Sequence, residues 1–192
     1  MKHRAVFFLI IAVIFLFSCS LSEPQGKSQP EWSVCFSPSG GCTKAIIQEL
    51  NQAKTSVLVQ AYSFTSAPIA EALLDAHKRG VNVEVILDKS QRTEKYSSAD
   101  FLANSGIPVR IDSAHAIAHN KVMILDEETV ITGSFNFTKA AEEKNAENLL
   151  VIKDKELAQE YLNNWKKHAE HSEPYTRKTQ INKSSKKGGV NQ

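Results

Sequence analysis

Four polar side chains near the middle of the chain have the types and the spacing needed to bind and attack a phosphate group. His119 and Lys121 precede one short apolar run, and Ser134 and Asn136 follow a second. Residues two apart on an extended strand share a face, so the members of each pair point the same way. An imidazole acting as nucleophile or base, a fixed ammonium and two neutral donors are groups suited to phosphodiester cleavage.

The elements that must position these residues are two short strands joined by a turn. Residues 122–125 are apolar, residues 126–129 form a polar turn, and the return strand begins at Val130. Taken singly, the candidate residues have ordinary structural explanations. Lys121 can extend its ammonium into solvent from a strand end, and Asp126 is typical of a turn. The combination of residues, rather than any one of them, favours chemistry.

The length and the charge of the chain limit what it can do. Its 192 residues are enough for one domain with a sizeable core. The formal net charge is +2, with two positive charges in the first four residues and five against one negative in residues 172–192, which leaves −4 on the rest. A mildly acidic body gives no support for a broad basic surface. Binding of a polyanion therefore has to depend on local cations or on the tail.

Residues 1–20 have the pattern of an export signal. A basic start precedes an apolar run from Ala5 to Phe17, which is too short for a comfortable membrane span. The last residues of the signal resemble a bacterial lipobox, which makes Cys19 a candidate for lipidation. Ordinary cleavage and an uncleaved anchor are the alternatives. We expect an exported protein in the periplasm or on the outer surface of the envelope, with Cys19 or the apolar segment as its membrane attachment.

The remaining organisation is a linker over residues 21–31, a folded domain over 32–171 and a basic, disordered tail over 172–192. Cys35 and Cys42 flank a stretch rich in turn-forming residues. Outside the cytoplasm such a pair indicates a local disulfide, with two free thiols as the alternative. Two cysteines make a poor zinc site, and no metal site is predicted.

Helices and strands alternate along the domain. A strand at 56–64, a helix from Ser66 to Gly80 and a strand at 81–88 predict a parallel, right-handed crossover. The other expected elements are a helix capped by Thr43, a helix at 98–104, strands at 107–111 and 149–152, and an amphipathic helix from Asp154 to about His171. His115 lies in a loop before the central motif, without any spacing that indicates a role.

A polar segment after the strand ending at Asp88 is a second candidate region. It interleaves Lys89, Arg92 and Lys95 with Tyr96. Loops at the carboxyl ends of parallel strands are where α/β proteins place their ligands. The three cations are candidates for lining a substrate groove, and a solvated loop is the alternative.

The spacing His119-x-Lys121-x4-Asp126, with Gly-Ser-x-Asn at 133–136, resembles the signature of the phospholipase D superfamily. The resemblance covers about residues 34–165. Further segments resemble the small, single-motif bacterial endonucleases of this superfamily, namely residues 36–38, 61–65, 105–108, 133–142 and 145–148.

The resemblance implies an α/β fold with a mixed, mainly parallel β-sheet flanked by helices on both faces. It also implies a two-histidine mechanism without a cofactor. Each active centre needs two copies of the motif and this chain has one, so a homodimer with a shared site is implied. His119 of one copy would attack phosphorus to form a phosphohistidine, and the partner's His119 would protonate the leaving oxygen.

The resemblance also assigns roles to the residues around His119. Lys121, Ser134 and Asn136 would hold the phosphate and stabilise its charge. Glu147 is the candidate acceptor that orients the imidazole of His119, because a neutral attacking imidazole needs its other nitrogen bonded to an acceptor.

Asp126 completes the predicted catalytic set of His119, Lys121, Asp126 and Glu147. It lies an odd number of residues from His119, off the shared strand face, which favours an organiser of the turn or of the dimer centre over a proton carrier. Because an ammonium repels cations, Lys121 agrees with metal-independent chemistry.

We therefore expect a metal-independent phosphodiesterase that hydrolyses DNA or RNA as an endonuclease. It should show no sequence preference, because a phosphate cradle contacts nothing that distinguishes bases. One alternative is phospholipase D action on phospholipids, by hydrolysis or transphosphatidylation, since the core chemistry is shared. The other is a non-catalytic envelope lipoprotein that binds polyanions, which the intact motif disfavours.

Overall fold

The computed structural model describes residues 31–176, so the predicted export signal, Cys19 and most of the linker and tail lie outside the described residues. Within this range, a short 3-10 turn at Lys89–Arg92 follows the third strand. No helix of this part of the chain combines the length and apolar character needed to cross a membrane. The elements are β1 (Glu31–Ser37), α1 (Cys42–Gln52), β2 (Ser56–Ala61), α2 (Ala67–Lys78), β3 (Asn82–Asp88), α3 (Ala99–Asn104), β4 (Val109–Asp112), β5 (Lys121–Leu125), β6 (Thr129–Gly133), α4 (Lys139–Glu143), β7 (Glu147–Lys153), α5 (Lys155–His171) and β8 (Glu173–Pro174).

The strands form one mixed sheet in the order β1-β7-β6-β5-β2-β3-β4-β8. The predicted crossover is confirmed, because β2 and β3 are parallel, and β4 adds a second parallel pair. The expectation of a mainly parallel sheet is wrong, since every other neighbouring pair is antiparallel. The physical reason is connection length. Parallel strands need a long crossover, whereas β5 and β6 are joined by a turn of three residues.

Helices cover both faces of the sheet, as expected for the α/β fold. The first four helices pack on one face, where Ile46, Leu73, Leu102 and Ala141 join the larger core. The longest helix, α5, packs on the other face through Ala158, Leu162 and Trp165. β2 is buried on both sides, since Val57 and Val59 contribute to one core and Leu58 to the other. The sheet thus holds the functional segments between two apolar layers.

The sequence predicts that Thr43 caps the N-terminus of α1, and this prediction is wrong. Gly41 is the N-cap residue, in the left-handed conformation, and no side chain of the helix itself forms a cap bond. Instead the Glu142 carboxylate on α4 accepts from the backbone N–H of Gly41 at 3.0 Å and of Thr43 at 2.7 Å. An anionic acceptor also complements the positive end of the helix dipole. Cys35 and Cys42 form a disulfide that links β1 to the start of this helix.

The folded domain extends beyond 32–171 at both ends. Glu31 belongs to β1, and β8 pairs with β4 after the end of α5. The backbone N–H of Tyr175 donates to Val109 O at 2.8 Å, and its hydroxyl donates to the Asp100 carboxylate at 3.0 Å. Burial, together with the Asp100 carboxylate, raises the pKa of Tyr175 to about 12.

Glu142→Ala should lower the free energy of unfolding by about 1–2 kcal/mol, because two backbone donors at the start of α1 lose their acceptor. The measurement is urea unfolding with the disulfide intact. Glu143→Ala is the matched control, since the Glu143 carboxylate forms an exposed ion pair with Lys139. This substitution should lower the free energy of unfolding by less than about 0.5 kcal/mol. Equal losses in the two variants would contradict a capping role for Glu142.

Candidate active site

The register between β2 and β5 brings Tyr62 against the two central residues of the motif. Lys121 lies opposite Ala61, and the Tyr62 N–H donates to Asn120 O at 2.8 Å. The Tyr62 ring centroid lies 4.6 Å from that of the His119 imidazole and 5.2 Å from Lys121 Nζ. Tyr62 is not among the residues that the sequence predicts for the site. One ring therefore supports both the imidazole and the ammonium.

His119 and Lys121 differ in their environment. The His119 side chain is exposed, and its ring has no hydrogen-bond partner within residues 31–176. Lys121 is 7 % exposed, and its Nζ donates to His119 O at 2.9 Å. Burial lowers the pKa of Lys121, and the nearby charge of Glu147 opposes part of that effect. A poorly hydrated ammonium beside a free imidazole can attract an anion strongly.

Ser134 follows Gly133, the last residue of β6, whose backbone conformation favours glycine. Gly133 has a φ of +145°, and a Cβ there would collide with the backbone oxygen of Asn148. The same oxygen accepts from the N–H groups of Ser134 at 3.1 Å and Phe135 at 3.2 Å. This close approach fixes the start of the loop.

Glu147 orients Ser134 in the structure. Its carboxylate accepts from Ser134 Oγ at 2.6 Å and from the Asn145 amide at 3.1 Å. Its predicted role as the acceptor for the His119 ring is not realised within one chain, since the His119 ring has no hydrogen bond there. Glu147 therefore lies at the site, bonded to the serine and close enough to Lys121 for its charge to raise the pKa of that ammonium.

Asn136 is the least satisfied polar residue of the site. Its amide oxygen is buried, and it is without a hydrogen-bond partner in the described part of the chain. The next residue, Phe137, is fully buried and packs edge-on against Phe64 at 5.8 Å, which anchors the loop. A buried amide oxygen without a partner costs about 1–3 kcal/mol. The position of Asn136 therefore agrees with a role in binding something from outside.

A buried carboxylate that the motif does not include holds the loop before His119. Asp88, at the end of β3, is 3 % exposed and accepts from the N–H groups of Ala118 at 2.8 Å and Ser90 at 2.9 Å. Burial raises the pKa of Asp88, but these hydrogen bonds outweigh it and leave the pKa lowered. The residue before His119 is thus fixed to the parallel part of the sheet.

Asp126 lies at the other end of β5, roughly 16 Å along the strand from Lys121. Its carboxylate accepts from the N–H groups of Lys54, Thr55 and Ser56 and from the Thr55 hydroxyl, at 2.8 to 3.1 Å. Burial raises its pKa, and these bonds outweigh burial and lower it. These bonds hold the link between α1 and β2, which agrees with the organising role that the sequence favours for Asp126, and its membership of the catalytic set stays a prediction.

The three predicted groove cations have contacts of their own. Lys89 Nζ donates to His115 O at 2.9 Å, and the Arg92 guanidinium pairs with Glu173 at 2.7 Å. Lys95 lies over the Tyr96 ring at 5.1 Å and is exposed. Lys89 and Arg92 therefore support neighbouring segments, and a groove lined by these residues stays a prediction.

Comparisons with known proteins show which family this chain is similar to. The family described as cardiolipin synthase, PLD-like domain, matches residues 46–169. A phospholipase D of Rickettsia conorii is 48 % identical over 138 residues, covering 72 % of this chain and 69 % of the relative. A mitochondrial cardiolipin hydrolase of Danio rerio is 32 % identical over 136 residues, which are 70 % of this chain and 60 % of the relative.

A solved structure extends the comparison to the fold. The crystal structure of Nuc, a phospholipase D family member from Salmonella typhimurium, superposes with a TM-score of 0.74. The two chains are 43 % identical, and the match covers 77 % of this chain and 99 % of that chain.

Asp126→Asn should lower the free energy of unfolding by about 2–3 kcal/mol, because several backbone donors lose a charged acceptor. Turnover per folded molecule should stay within about twofold, since Asp126 is remote from His119. Urea unfolding and initial rates below the melting temperature measure the two effects. Glu127→Gln, on the exposed side of the same turn, should leave both unchanged. A collapse of turnover in folded Asp126→Asn would contradict the structural role.

The contribution of Asp126 to stability should depend on pH with a defined sign. Its pKa is lower in the folded chain than in the unfolded chain, where it is about 4. The stabilisation is therefore complete above about pH 4 and is lost as the pH falls through the folded pKa. The difference in stability between wild type and Asp126→Asn should shrink below about pH 4 in acid-unfolding measurements, and a gap that widens there would contradict this assignment.

Proposed function

The chain belongs to the phospholipase D superfamily and is a hydrolase of that family, and we propose that it cleaves nucleic acid as a metal-independent endonuclease. The observation that carries the proposal is the contact of the exposed His119 imidazole and the buried Lys121 ammonium with one Tyr62 ring. A free nucleophile at the surface, with a poorly hydrated cation beside it, suits a phosphodiester within a large substrate.

Two further features support nucleic acid as the substrate. His119 and Ser134 are both exposed, so a polymer can reach them without entering a deep cavity. The polar groups of the site are suited to phosphate and offer no pattern that would distinguish bases, which agrees with cleavage of DNA or RNA without sequence preference. The similarity to Nuc, over nearly that whole chain, supports the same assignment through the resemblance to small bacterial endonucleases.

The second candidate substrate is a phospholipid. Two relatives, at 48 % and 32 % identity, are named phospholipase D and mitochondrial cardiolipin hydrolase. The same imidazole and ammonium would attack the phosphodiester of a lipid headgroup. The non-catalytic alternative has no support, because the chain retains the motif and has relatives named phospholipase D and mitochondrial cardiolipin hydrolase.

In the proposed reaction the histidine forms a covalent intermediate. His119 attacks phosphorus, a P–N bond forms as the P–O bond to the leaving group breaks, and the partner's His119 donates a proton to the departing oxygen. Water then attacks the phosphohistidine while the same second imidazole takes its proton, which restores both histidines. The identical residues hold opposite protonation states, so their titrations are coupled. Both Lys121 ammonium groups stabilise the five-coordinate phosphorus.

An apolar strip beside the site supports the proposed homodimer. Trp32, Val34 and Phe36 alternate along the edge strand β1 and are 66 %, 41 % and 65 % exposed. Phe36 pairs with Asn148, whose N–H donates to Ser134 Oγ at 3.1 Å, so the strip reaches the site. Exposed aromatic side chains next to an incomplete site are typical of an interface. Across that interface Glu147 would orient the partner's His119.

Export of the protein stays a prediction. The signal and Cys19, the proposed membrane attachment, lie outside the described residues. The Cys35–Cys42 disulfide supports an oxidising compartment such as the periplasm or the outer surface of the envelope.

Purified protein should nick plasmid DNA in the presence of EDTA, and His119→Ala should reduce the rate by about 10⁴-fold or more, because the nucleophile is lost. His77→Gln, on α2, is the matched histidine control and should keep the full rate. Release of headgroup from phosphatidylcholine and cardiolipin vesicles is measured in parallel. Lipid hydrolysis without nicking would overturn the nuclease assignment. Loss of nicking in EDTA with recovery on adding magnesium would overturn the metal-free mechanism.

Mixing of subunits tests the shared centre. Wild type refolded with a ninefold excess of His119→Ala should lose about tenfold in activity per wild-type chain, because most wild-type chains pair with an inactive partner. The same excess of His77→Gln should cause no loss. Unchanged activity with the His119→Ala excess, or full activity of a monomer in sedimentation, would contradict a shared site.

A further inference from the structure

Three histidines and one aspartate meet where the end of α5 packs beside the segment that leads to His119. Asp112 is the last residue of β4 and is fully buried, and His115 lies three residues later. His168 and His171 are one turn apart at the end of α5. One carboxylate oxygen and three ring nitrogens of these residues all lie within 4.8 Å of one another. The sequence predicts no metal site, because Asp112 and His168 are far apart in the chain.

The three histidines converge on a single oxygen atom of Asp112. Asp112 Oδ2 lies 3.0 Å from His115 Nδ1 and 2.8 Å from His168 Nδ1. It lies 3.3 Å from His171 Nε2. In a tetrahedral zinc site with bonds of about 2.0–2.1 Å, neighbouring ligand atoms are about 3.3 Å apart. The contacts to the carboxylate already have nearly that spacing, and the remaining nitrogen pairs need to approach by about 1.5 Å at most.

The chemistry of the cluster also suits a cation. Asp112 is fully buried, and ring nitrogens of His115, His168 and His171 surround its carboxylate. The three ring centroids lie 4.9 to 5.3 Å apart, close enough for the imidazoles to meet at one ion. One carboxylate and three imidazoles are ligand types that a divalent metal accepts.

We propose that Asp112, His115, His168 and His171 bind a zinc ion. Nitrogen-rich sets of this kind suit zinc, whereas calcium and magnesium take oxygen ligands. Four protein ligands leave no open position, so the ion is structural and takes no part in phosphodiester cleavage. The proposal does not depend on the substrate assigned above, and the reaction at His119 stays metal-independent.

The zinc ion would join three separate segments of the fold. It would tie the end of β4 and the loop over residues 113–120 to the last turn of α5, where the helix dipole favours a cation. The same loop is already held by Asp88 at Ala118 and by Lys89 at His115 O. Since His119 lies in this loop, the metal would position the nucleophile through the chain without contacting substrate.

Zinc binding by the purified full chain, with any polyhistidine tag removed, tests the proposal. The protein is stripped with a chelator, loaded with zinc, desalted and assayed for metal content and melting temperature. Wild type should retain about one zinc per chain, and a hundredfold excess of zinc over its dissociation constant should raise the melting temperature by about 5–10 °C. His115→Gln and His171→Gln, at the more exposed ligands, should each weaken zinc binding by more than about tenfold in a chelator-competition titration.

His77→Gln and His119→Ala are the controls and should bind zinc like wild type. Circular dichroism without zinc establishes that each ligand variant is folded, and Asp112→Asn provides a further variant that keeps the size of the side chain. Failure of wild type to retain zinc would overturn the proposal. So would equal affinity in the ligand variants and wild type, or loss of zinc in His119→Ala, which would place the ion elsewhere.

Discussion

The pairing of β2 with β5 is the constraint on which the site depends. In the observed register Lys121 lies opposite Ala61, and the chain continues so that Tyr62 bonds to Asn120 and supports the His119 ring. Side chains alternate along a strand, so a slip of one residue would move Lys121 to the face covered by α5 and bring Val122 and Ile124 to the other core. The apolar layers on both faces exclude that slip. Core packing therefore fixes where the ammonium and the imidazole lie.

Ionised carboxylates hold the segments around this pair by binding backbone N–H groups. Asp88 holds the residue before His119, Asp126 holds the link between α1 and β2, and Glu142 holds the start of α1. A carboxylate that accepts several N–H bonds is stabilised in its charged form, which explains the lowered pKa values of Asp88 and Asp126. These groups fix the geometry of the loops and helix ends that they contact. The motif aspartate thus supports the architecture, whereas the histidine and the lysine are the residues that we propose act on the phosphate.

Local patterns of sequence predict local structure well here. The hairpin of β5 and β6, the crossover from β2 to β3 and the buried character of β2 all follow from periodicity and turn residues within about 30 positions. The mainly antiparallel pairing of the strands does not follow from these patterns, because one predicted crossover says nothing about strands joined by short turns. The cap of α1 is missed because Glu142 lies about 100 residues from Thr43. His115 gains significance only when the fold brings it to His168, which its own neighbourhood in the sequence cannot reveal.

Two polar groups of the site have no hydrogen-bond partner in the described part of the chain. The His119 ring has no hydrogen bond within residues 31–176, and the buried Asn136 amide oxygen has no partner there. His119 lies two residues before Lys121, and Asn136 lies two residues after Ser134, which the exposed strip of β1 approaches at Phe36. Burying a polar atom without a partner costs free energy, so folded chains retain such atoms where something else supplies the partner. These unsatisfied groups support the proposal that one chain presents half of a binding site, which a phosphate and a second copy of the chain would complete.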